Sequence, residues 1–202
     1  SKVLNLLIVA PESIVIIEGI LTTTAPNGTP HHAPMGPIVN ESLDHWLLRP
    51  FQSSTTFQNL RGCGICTFHV VDDVLLVAQS ALSIPIDLRY ARSNCGGWII
   101  ESACHWYSLE TLHWDLSQSR SQVSARVIER EVLRPFWGWN RAKHAVLEAT
   151  ILATRLHLTG KQHVLRELDR LESAVKKTAG PREFDAWDLV YNFVAKWEVA
   201  ED

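Results

Sequence analysis

The sequence lacks the features of several common protein classes. It has one methionine and four cysteines in 202 residues. Its longest apolar runs, residues 3–10 and 13–17, are far shorter than the roughly 20 residues that span a bilayer. We therefore expect no membrane span. No small-x-small cleavage pattern follows residues 3–10, so we interpret that run as a strand or an apolar arm rather than a signal peptide.

Motifs of the common nucleotide-binding and hydrolase folds are also missing. The chain contains no G-x-G-x-x-G, no P-loop, no H-E-x-x-H and no G-x-S-x-G. Gly62-Cys63-Gly64 begins like the first of these, but Thr67 stands where the third glycine is needed. Any phosphate-bearing cofactor must therefore be held in another way.

A strong positive excess is missing as well. The formal net charge is −3 and the pI is about 6.3. A dedicated nucleic-acid binder normally carries a basic surface, so we expect no nucleic-acid partner.

The charges that are present are unevenly distributed. Residues 1–136 hold 9 of the 19 basic and 12 of the 22 acidic residues, whereas the much shorter stretch 137–202 holds the other 10 of each. Charge density therefore doubles near Phe136. We predict a β-barrel domain over residues 1–136 and a helical extension over 137–202, packed on the barrel or on a dimer interface.

The local patterns predict an α+β fold that is mainly β. In the first part, β-rich runs separated by turn residues alternate with only two short helices, which favours an antiparallel barrel over βαβ units. We predict strands at 14–24, 30–39, 44–49, 64–71, 98–116 and 121–134, helices at 53–62 and 72–82, and a long loop at 83–97.

Beyond Pro135 the apolar residues recur with helical spacing. Ala142, Val146, Ala149, Ala153 and Leu156 indicate one helix. The apolar residues within 164–175 indicate a second helix, which ends at Gly180-Pro181. Those within 187–197 indicate a third helix. The prediction is a three-helix extension.

The cysteines give little support to a metal site. Cys63 and Cys66 have the C-x-x-C spacing of half a zinc site or a redox pair, but Cys95 and Cys104 lie too far apart to complete it. We expect reduced thiols, no metal and a cytoplasmic protein.

A candidate phosphate site lies around the first predicted helix. Arg49 precedes the Ser53-Ser54-Thr55-Thr56 cluster that opens it. Free N–H groups at a helix start, hydroxyl donors and an arginine fork together suit a terminal phosphate. The same residues also fit an ordinary capped helix beside a surface arginine.

A charged stripe is predicted on the first helix of the extension. Arg141, Glu148 and Arg155 are spaced by seven and share one face, flanked by apolar residues. We expect a partly covered ion network there. One interpretation is that this network is a structural brace within the helical extension or the dimer interface. The other is that one of its arginines faces the flavin edge or a substrate anion.

The order of several short motifs resembles the FMN-binding split-barrel superfamily, which includes flavin reductases, flavoredoxins and pyridoxamine-phosphate oxidases. Within it, the chain is most similar to an uncharacterised branch with a domain of unknown function. The resemblance extends from about Ile14 to Leu158. It is carried by residues 18–24, Asn27-Gly28, 32–36, Arg49-Pro50-Phe51, Ser54, Thr56, Asn59, 68–73, Asn140-Arg141-Ala142, Glu148 and Thr154-Arg155.

This resemblance implies an antiparallel split β-barrel, FMN as cofactor and a homodimer with the flavin near the subunit interface. By position, Arg49, Ser54 and Thr56 are expected to hold the phosphate, with Asn59 nearby. Ala33, Pro34 and Met35 are expected to run past the isoalloxazine ring.

Two histidines depart from the pattern of the branch. His32, which we include among the cofactor-binding residues, and His69 stand where asparagine is expected. Histidine is larger than asparagine, and its charge varies near neutral pH. We therefore expect flavin affinity or orientation to differ here. A metal pair formed by His31 and His32 is disfavoured, because neighbours on a strand point to opposite faces.

The sequence thus predicts an FMN-binding protein and a flavin-reductase-like oxidoreductase of unknown substrate, with NAD(P)H as a candidate electron donor. The alternative is a non-catalytic dimer that binds flavin or another phosphorylated ligand. No residue is assigned as a catalytic acid or base.

Overall fold

An eight-stranded antiparallel sheet dominates the computed structural model, which describes residues 15–198. Its strand order is β1-β4-β5-β10-β9-β6-β2-β3, and β7 and β8 form a separate pair. The predicted strand or arm over residues 3–10 lies outside the described residues. The strands are β1 (Val15–Ile16), β2 (Gly19–Thr24), β3 (Pro30–Met35), β4 (Ile38–Val39), β5 (His45–Leu48), β6 (Ile65–Val70), β7 (Tyr90–Arg92), β8 (Trp98–Ile100), β9 (His105–Asp115) and β10 (Gln122–Val132).

The sheet curls into an open half-barrel around an apolar core. Trp46 is 2% exposed, and its ring packs on Phe68 and Tyr107 with centroid distances of 5.0 and 5.1 Å. Leu48 and Leu109 complete the centre of this cluster. The predicted α+β fold with an antiparallel split barrel is confirmed.

Three predicted strands are each interrupted. The first, at 14–24, divides into β1 and β2 at Ile17-Glu18. The second, at 30–39, divides into β3 and β4 at Gly36-Pro37, where the proline has no N–H to donate to a ladder. The third, at 98–116, divides into β8 and β9 at a turn, where Arg134 donates from Nη2 to the Ser102 carbonyl at 3.0 Å. The predicted loop at 83–97 contains β7, which pairs with β8.

The helices are α1 (Thr55–Cys63), α2 (Val74–Ala81), α3 (Arg141–Ala153), α4 (Leu156–Thr159), α5 (Lys161–Thr178) and α6 (Pro181–Lys196). The three predicted helices of the extension correspond to α3, α5 and α6, and α4 is an added short helix. The apolar residues that predicted α3 and its continuation, from Ala142 to Leu156, are all buried.

Helix α2 joins the barrel to the extension. Its Val74 and Ala78 belong to the core formed by α3, α5 and α6, whereas Leu76 and Val77 pack with Ile20 of the sheet. The core of the extension therefore includes a helix from the first 136 residues. The division of the chain at residue 136 stays a prediction.

Candidate functional site

A cavity of about 420 Å³ lies between the end of β3, the start of α1 and one face of α3. This volume is in the usual range for a small-molecule site. Three cations line it, namely Arg49, Arg120 and Arg155. We call it the arginine pocket.

Ser54 organises the α1 end of the arginine pocket. It is the N-cap of α1: its Oγ accepts from the Phe57 N–H at 3.2 Å and donates to the Phe51 carbonyl at 2.7 Å. The N–H groups of the first helical turn, including those of Thr55 and Thr56, have no partner inside the helix and carry its positive dipole potential. This end of the pocket is suited to an anion.

Arg49 carries a buried donor with no acceptor. Its Nε has no hydrogen-bond partner among the described residues. Buried polar groups are rarely left unpaired in native proteins. An acceptor supplied by a ligand would satisfy this one.

Arg120 lies beside Arg49 because the β9–β10 turn meets the end of β5. Its Nε donates to the Arg49 carbonyl at 2.9 Å, and its guanidinium lies 5.3 Å from the Phe51 ring centroid. Burial lowers the pKa of Arg120, and the charges of Arg49 and Arg155 act in the same direction. Three like charges in one cavity favour an anionic ligand.

Glu18 also lines the arginine pocket. Burial raises its pKa, helped by the Glu148 charge and opposed by the three arginines. Its carboxylate lies against Gly36, where a Cβ would come within 2.7 Å of Oε1. Glycine at position 36 therefore leaves room for this carboxylate.

Six of the eight predicted cofactor-binding residues line the arginine pocket, and two do not. Asn59 is buried, and its Nδ2 donates to Thr23 Oγ1 at 3.0 Å. The Nδ1 of His32 lies 2.8 Å from the Tyr90 hydroxyl. The six residues brought together are Ala33, Pro34, Met35, Arg49, Ser54 and Thr56.

His31 and His32 point to different partners. The Nε2 of His31 lies 3.4 Å from Thr56 Oγ1, on the α1 side of β3, whereas His32 contacts Tyr90. Burial lowers the pKa of both. The part of the chain that the structure describes has no group of three His, Cys, Asp or Glu side chains arranged to hold a metal.

His69 differs from its expected behaviour. It is 0% exposed, and its two ring nitrogens link three strands: Nδ1 donates to the Ile20 carbonyl, and Nε2 accepts from the Ile100 N–H, each at 3.0 Å. Burial lowers its pKa to about 4. The expectation that its charge varies near neutral pH was wrong, because the ring is enclosed and stays neutral.

The charged stripe expected on one helix is divided in the structure. Arg141 and Glu148 lie on α3, whereas Arg155 follows the end of α3 and precedes α4. All three are exposed in the single chain, and within residues 15–198 none of them belongs to an ion pair. Arg155 lines the arginine pocket and the Glu148 charge acts on Glu18, so these two contribute electrostatically to the site, whereas Arg141 does not line the pocket.

Sequence reasoning assigned no role to Arg120 or Glu18. Glu18 lay within the motif series, but a carboxylate is not expected beside a phosphate site. Arg120 falls between the strands predicted at 98–116 and 121–134, and its position depends on the pairing of β5 with β10. No local sequence signal identifies that pairing.

The open antiparallel barrel with this pocket defines a protein of the FMN-binding split-barrel class. The chain belongs to the family described as protein of unknown function DUF447: the model of its N-terminal domain matches residues 17–134, and a second model of the family matches residues 140–192. The predicted resemblance is confirmed. A search of curated proteins finds no match.

One similar solved structure comes from the same family, and two others share the fold. The FMN-bound DUF447 protein MM1853 from Methanosarcina mazei is 26% identical, with a TM-score of 0.75 over 88% of this chain and 94% of that one. The flavin reductase HpaC, complexed with NADP+, is 12% identical, with a TM-score of 0.53 over 60% and 81%. The flavin reductase of styrene monooxygenase from Pseudomonas putida S12 is 15% identical, with a TM-score of 0.50 over 58% and 82%. The two reductases share the fold alone.

None of the helices in residues 15–198 is long and apolar enough to cross a membrane.

Proposed function

We propose that this protein binds FMN in the arginine pocket and is a flavin-dependent oxidoreductase. The observation that carries the proposal is the buried, unpartnered Nε of Arg49 in a cavity lined by two further arginines. The FMN bound to the Methanosarcina relative supports the choice of ligand. When bound, the flavin would supply hydride and electron transfer.

The residues present fit the phosphate end of FMN. Arg49 offers a charged fork, and the first turn of α1 offers backbone N–H groups. Thr56 Oγ1 lies at the same end, 3.4 Å from His31. These groups would anchor the phosphate, and Arg120 would add positive charge.

The other end of the pocket fits a flat ring. Ala33, Pro34 and Met35 form one wall, and Ile151 of α3 lines the same cavity. Backbone groups along β3 would orient the isoalloxazine ring. Asn59 would act indirectly, by holding Thr23 of the neighbouring strand.

Absorbance spectroscopy tests the cofactor. We expect the purified protein to show flavin bands, or to acquire them with micromolar FMN. Anaerobic addition of NADH or NADPH should then bleach the bound flavin. A protein that binds no FMN contradicts the proposal, whereas one that binds FMN and resists bleaching by both donors is a carrier instead.

We also propose a homodimer, which the split-barrel resemblance implies. Ile16 and Phe51, both lining the arginine pocket, are about half exposed in the single chain. A partner subunit would cover such apolar groups at the edge of the site. Sedimentation at micromolar concentration should give a dimer, and a monomer would refute this part.

Glu18 makes FMN binding depend on pH. Its raised pKa means that it gains a proton at a higher pH than an ordinary glutamate, and the pocket then loses a negative charge that opposes the binding of an anion. We expect Glu18→Gln to tighten FMN binding by roughly threefold to tenfold above that pKa. The difference in FMN affinity between Glu18→Gln and the unmodified protein should vanish as the pH falls through the pKa of Glu18. Kd measured against pH for both proteins checks this.

The matched control is Glu41→Gln, which removes the same charge from an exposed turn outside the pocket. The dianionic phosphate of FMN itself gains a proton near pH 6, and this affects every variant equally. A Glu18→Gln curve parallel to that of the unmodified protein would refute the role of Glu18.

A further inference from the structure

A second cavity, of about 330 Å³, lies beside the arginine pocket at the junction of barrel and extension. We call it the tryptophan cavity after Trp139, which lines it together with Phe136, His144 and Leu147. None of the groups proposed to anchor the phosphate or to run past the isoalloxazine ring lines it.

The tryptophan cavity has an aromatic wall. Trp139 is 87% exposed and stacks on His144, with ring centroids 5.2 Å apart and an interplanar angle of 24°. The opposite side is aliphatic and includes Val70, Val74 and Val77. A large aromatic side chain left in solvent beside an apolar cavity offers a flat surface on which another ring can stack.

The two cavities are adjacent and share a wall. Glu18, Val77 and Leu147 line both. Glu18 lies against Gly36, which follows the β3 segment proposed to run past the isoalloxazine ring. The tryptophan cavity therefore adjoins the ring end of the arginine pocket rather than the phosphate end.

The charged groups at the cavity wall already have partners. Lys143 pairs with Glu183 at 3.8 Å. Asp72 accepts from Arg134 Nη1 at 2.9 Å and from the Trp137 N–H at 3.1 Å, and the Arg134 hydrogen bond holds its pKa well below the usual range. The one further carboxylate, Glu18, disfavours an anion at the shared wall.

We propose that the tryptophan cavity binds a flat, uncharged aromatic ring next to the flavin. The ring would stack on Trp139, with its edge at Glu18. The position of this ring beside the flavin rests on the proposed function. The proposal adds the chemical class of the small molecule that shares the site. Anionic ring compounds would bind more weakly, because Glu18 lies at the shared wall.

Calorimetric titration with two matched probes, 2-naphthol and 2-naphthalenesulfonate, tests this on the full chain with and without FMN. We expect naphthol to bind and the sulfonate to bind at least tenfold more weakly. Trp139→Ala should weaken naphthol binding about tenfold, since it removes the stacking surface. The FMN Kd should stay unchanged in that variant.

Trp137→Ala is the matched control. Trp137 is 81% exposed and two residues away, yet its side chain does not line the cavity. This variant should bind naphthol like the unmodified protein. Equal loss in both variants, or no naphthol binding to the unmodified protein, would overturn the proposal.

The two proposals fail separately. If FMN does not bind the unmodified protein, the proposed function fails, and the naphthol titration still reports on the cavity. If FMN binds but naphthol does not, the present proposal is wrong. Acrylamide quenching of the unmodified protein compared with Trp139→Ala then isolates Trp139 among the eight tryptophans, and a shielded Trp139 in a dimer would show that a second copy fills the cavity.

Discussion

Arg49→Ala is expected to weaken FMN binding by about 10- to 100-fold, the loss of charge-assisted hydrogen bonds to a phosphate. The affinity for riboflavin, which lacks the phosphate, should change little. The physical reason is that Arg49 brings a buried Nε to the pocket, for which residues 15–198 supply no acceptor. Fluorescence titration of both ligands measures the two affinities.

Two further variants make this test specific. Arg61→Ala removes an arginine from the exposed last turn of α1, outside the pocket, and should leave both affinities unchanged. Arg49→Lys keeps the positive charge but lacks the bidentate guanidinium donors. Its FMN affinity should therefore lie between those of Arg49→Ala and the unmodified protein. Equal losses of FMN and riboflavin in Arg49→Ala would contradict the phosphate assignment.

The second large effect is expected at His69. His69→Leu should lower the free energy of unfolding by about 3 kcal/mol, because it leaves the Ile20 carbonyl and the Ile100 N–H buried without partners. Denaturant unfolding of the two proteins at pH 7 measures the difference. His113→Leu, which changes an exposed histidine on β9, is the control and should have little effect.

The stability contributed by His69 also depends on pH. The unfolded ring takes a proton near pH 6.5, whereas the folded ring takes one only near pH 4. Between these values the unfolded chain binds more protons, so the contribution is complete above pH 6.5 and is lost as the pH falls to about 4. The loss amounts to about 3 kcal/mol at most. This loss of stability at low pH should be missing in His69→Leu. If the free energy of unfolding of the two proteins depends on pH in the same way, then His69 is not buried in the neutral form.

Much of the fold could be predicted from local patterns. Asn-Gly is a strong hairpin signal, and Asn27-Gly28 lies between the strands predicted at 14–24 and 30–39; the structure contains the β2–β3 hairpin there. Helical spacing from Ala142 to Leu156 predicted the buried face of α3. These features succeed because turns and amphipathic faces are encoded by residues close together in the chain.

The breaks within strands could not be predicted in the same way. The pattern at 98–116 is that of one long strand, but a turn stabilised by Arg134 separates β8 from β9. Arg134 is 32 residues from its acceptor, the Ser102 carbonyl. A contact over that distance depends on the sheet being assembled.

The sequence by itself determined the class of fold and one end of the candidate site. Arg49, Ser54 and Thr56 are near neighbours in the chain, so their meeting at the start of α1 needs only local structure. Only the tertiary structure decided the rest. Arg120 reaches Arg49 through the pairing of β5 with β10. Arg155, which follows the end of α3, lines the same pocket because the helices of the extension pack beside α2.

The tertiary structure also decided what the two unusual histidines do. His32 contacts Tyr90 across a loop, and His69 is enclosed between strands that only the folded sheet brings together. A residue type fixes which hydrogen bonds a side chain can make, and burial and partners decide which it makes and whether it is charged. Those conditions come from long-range packing, which no local pattern in this sequence encodes.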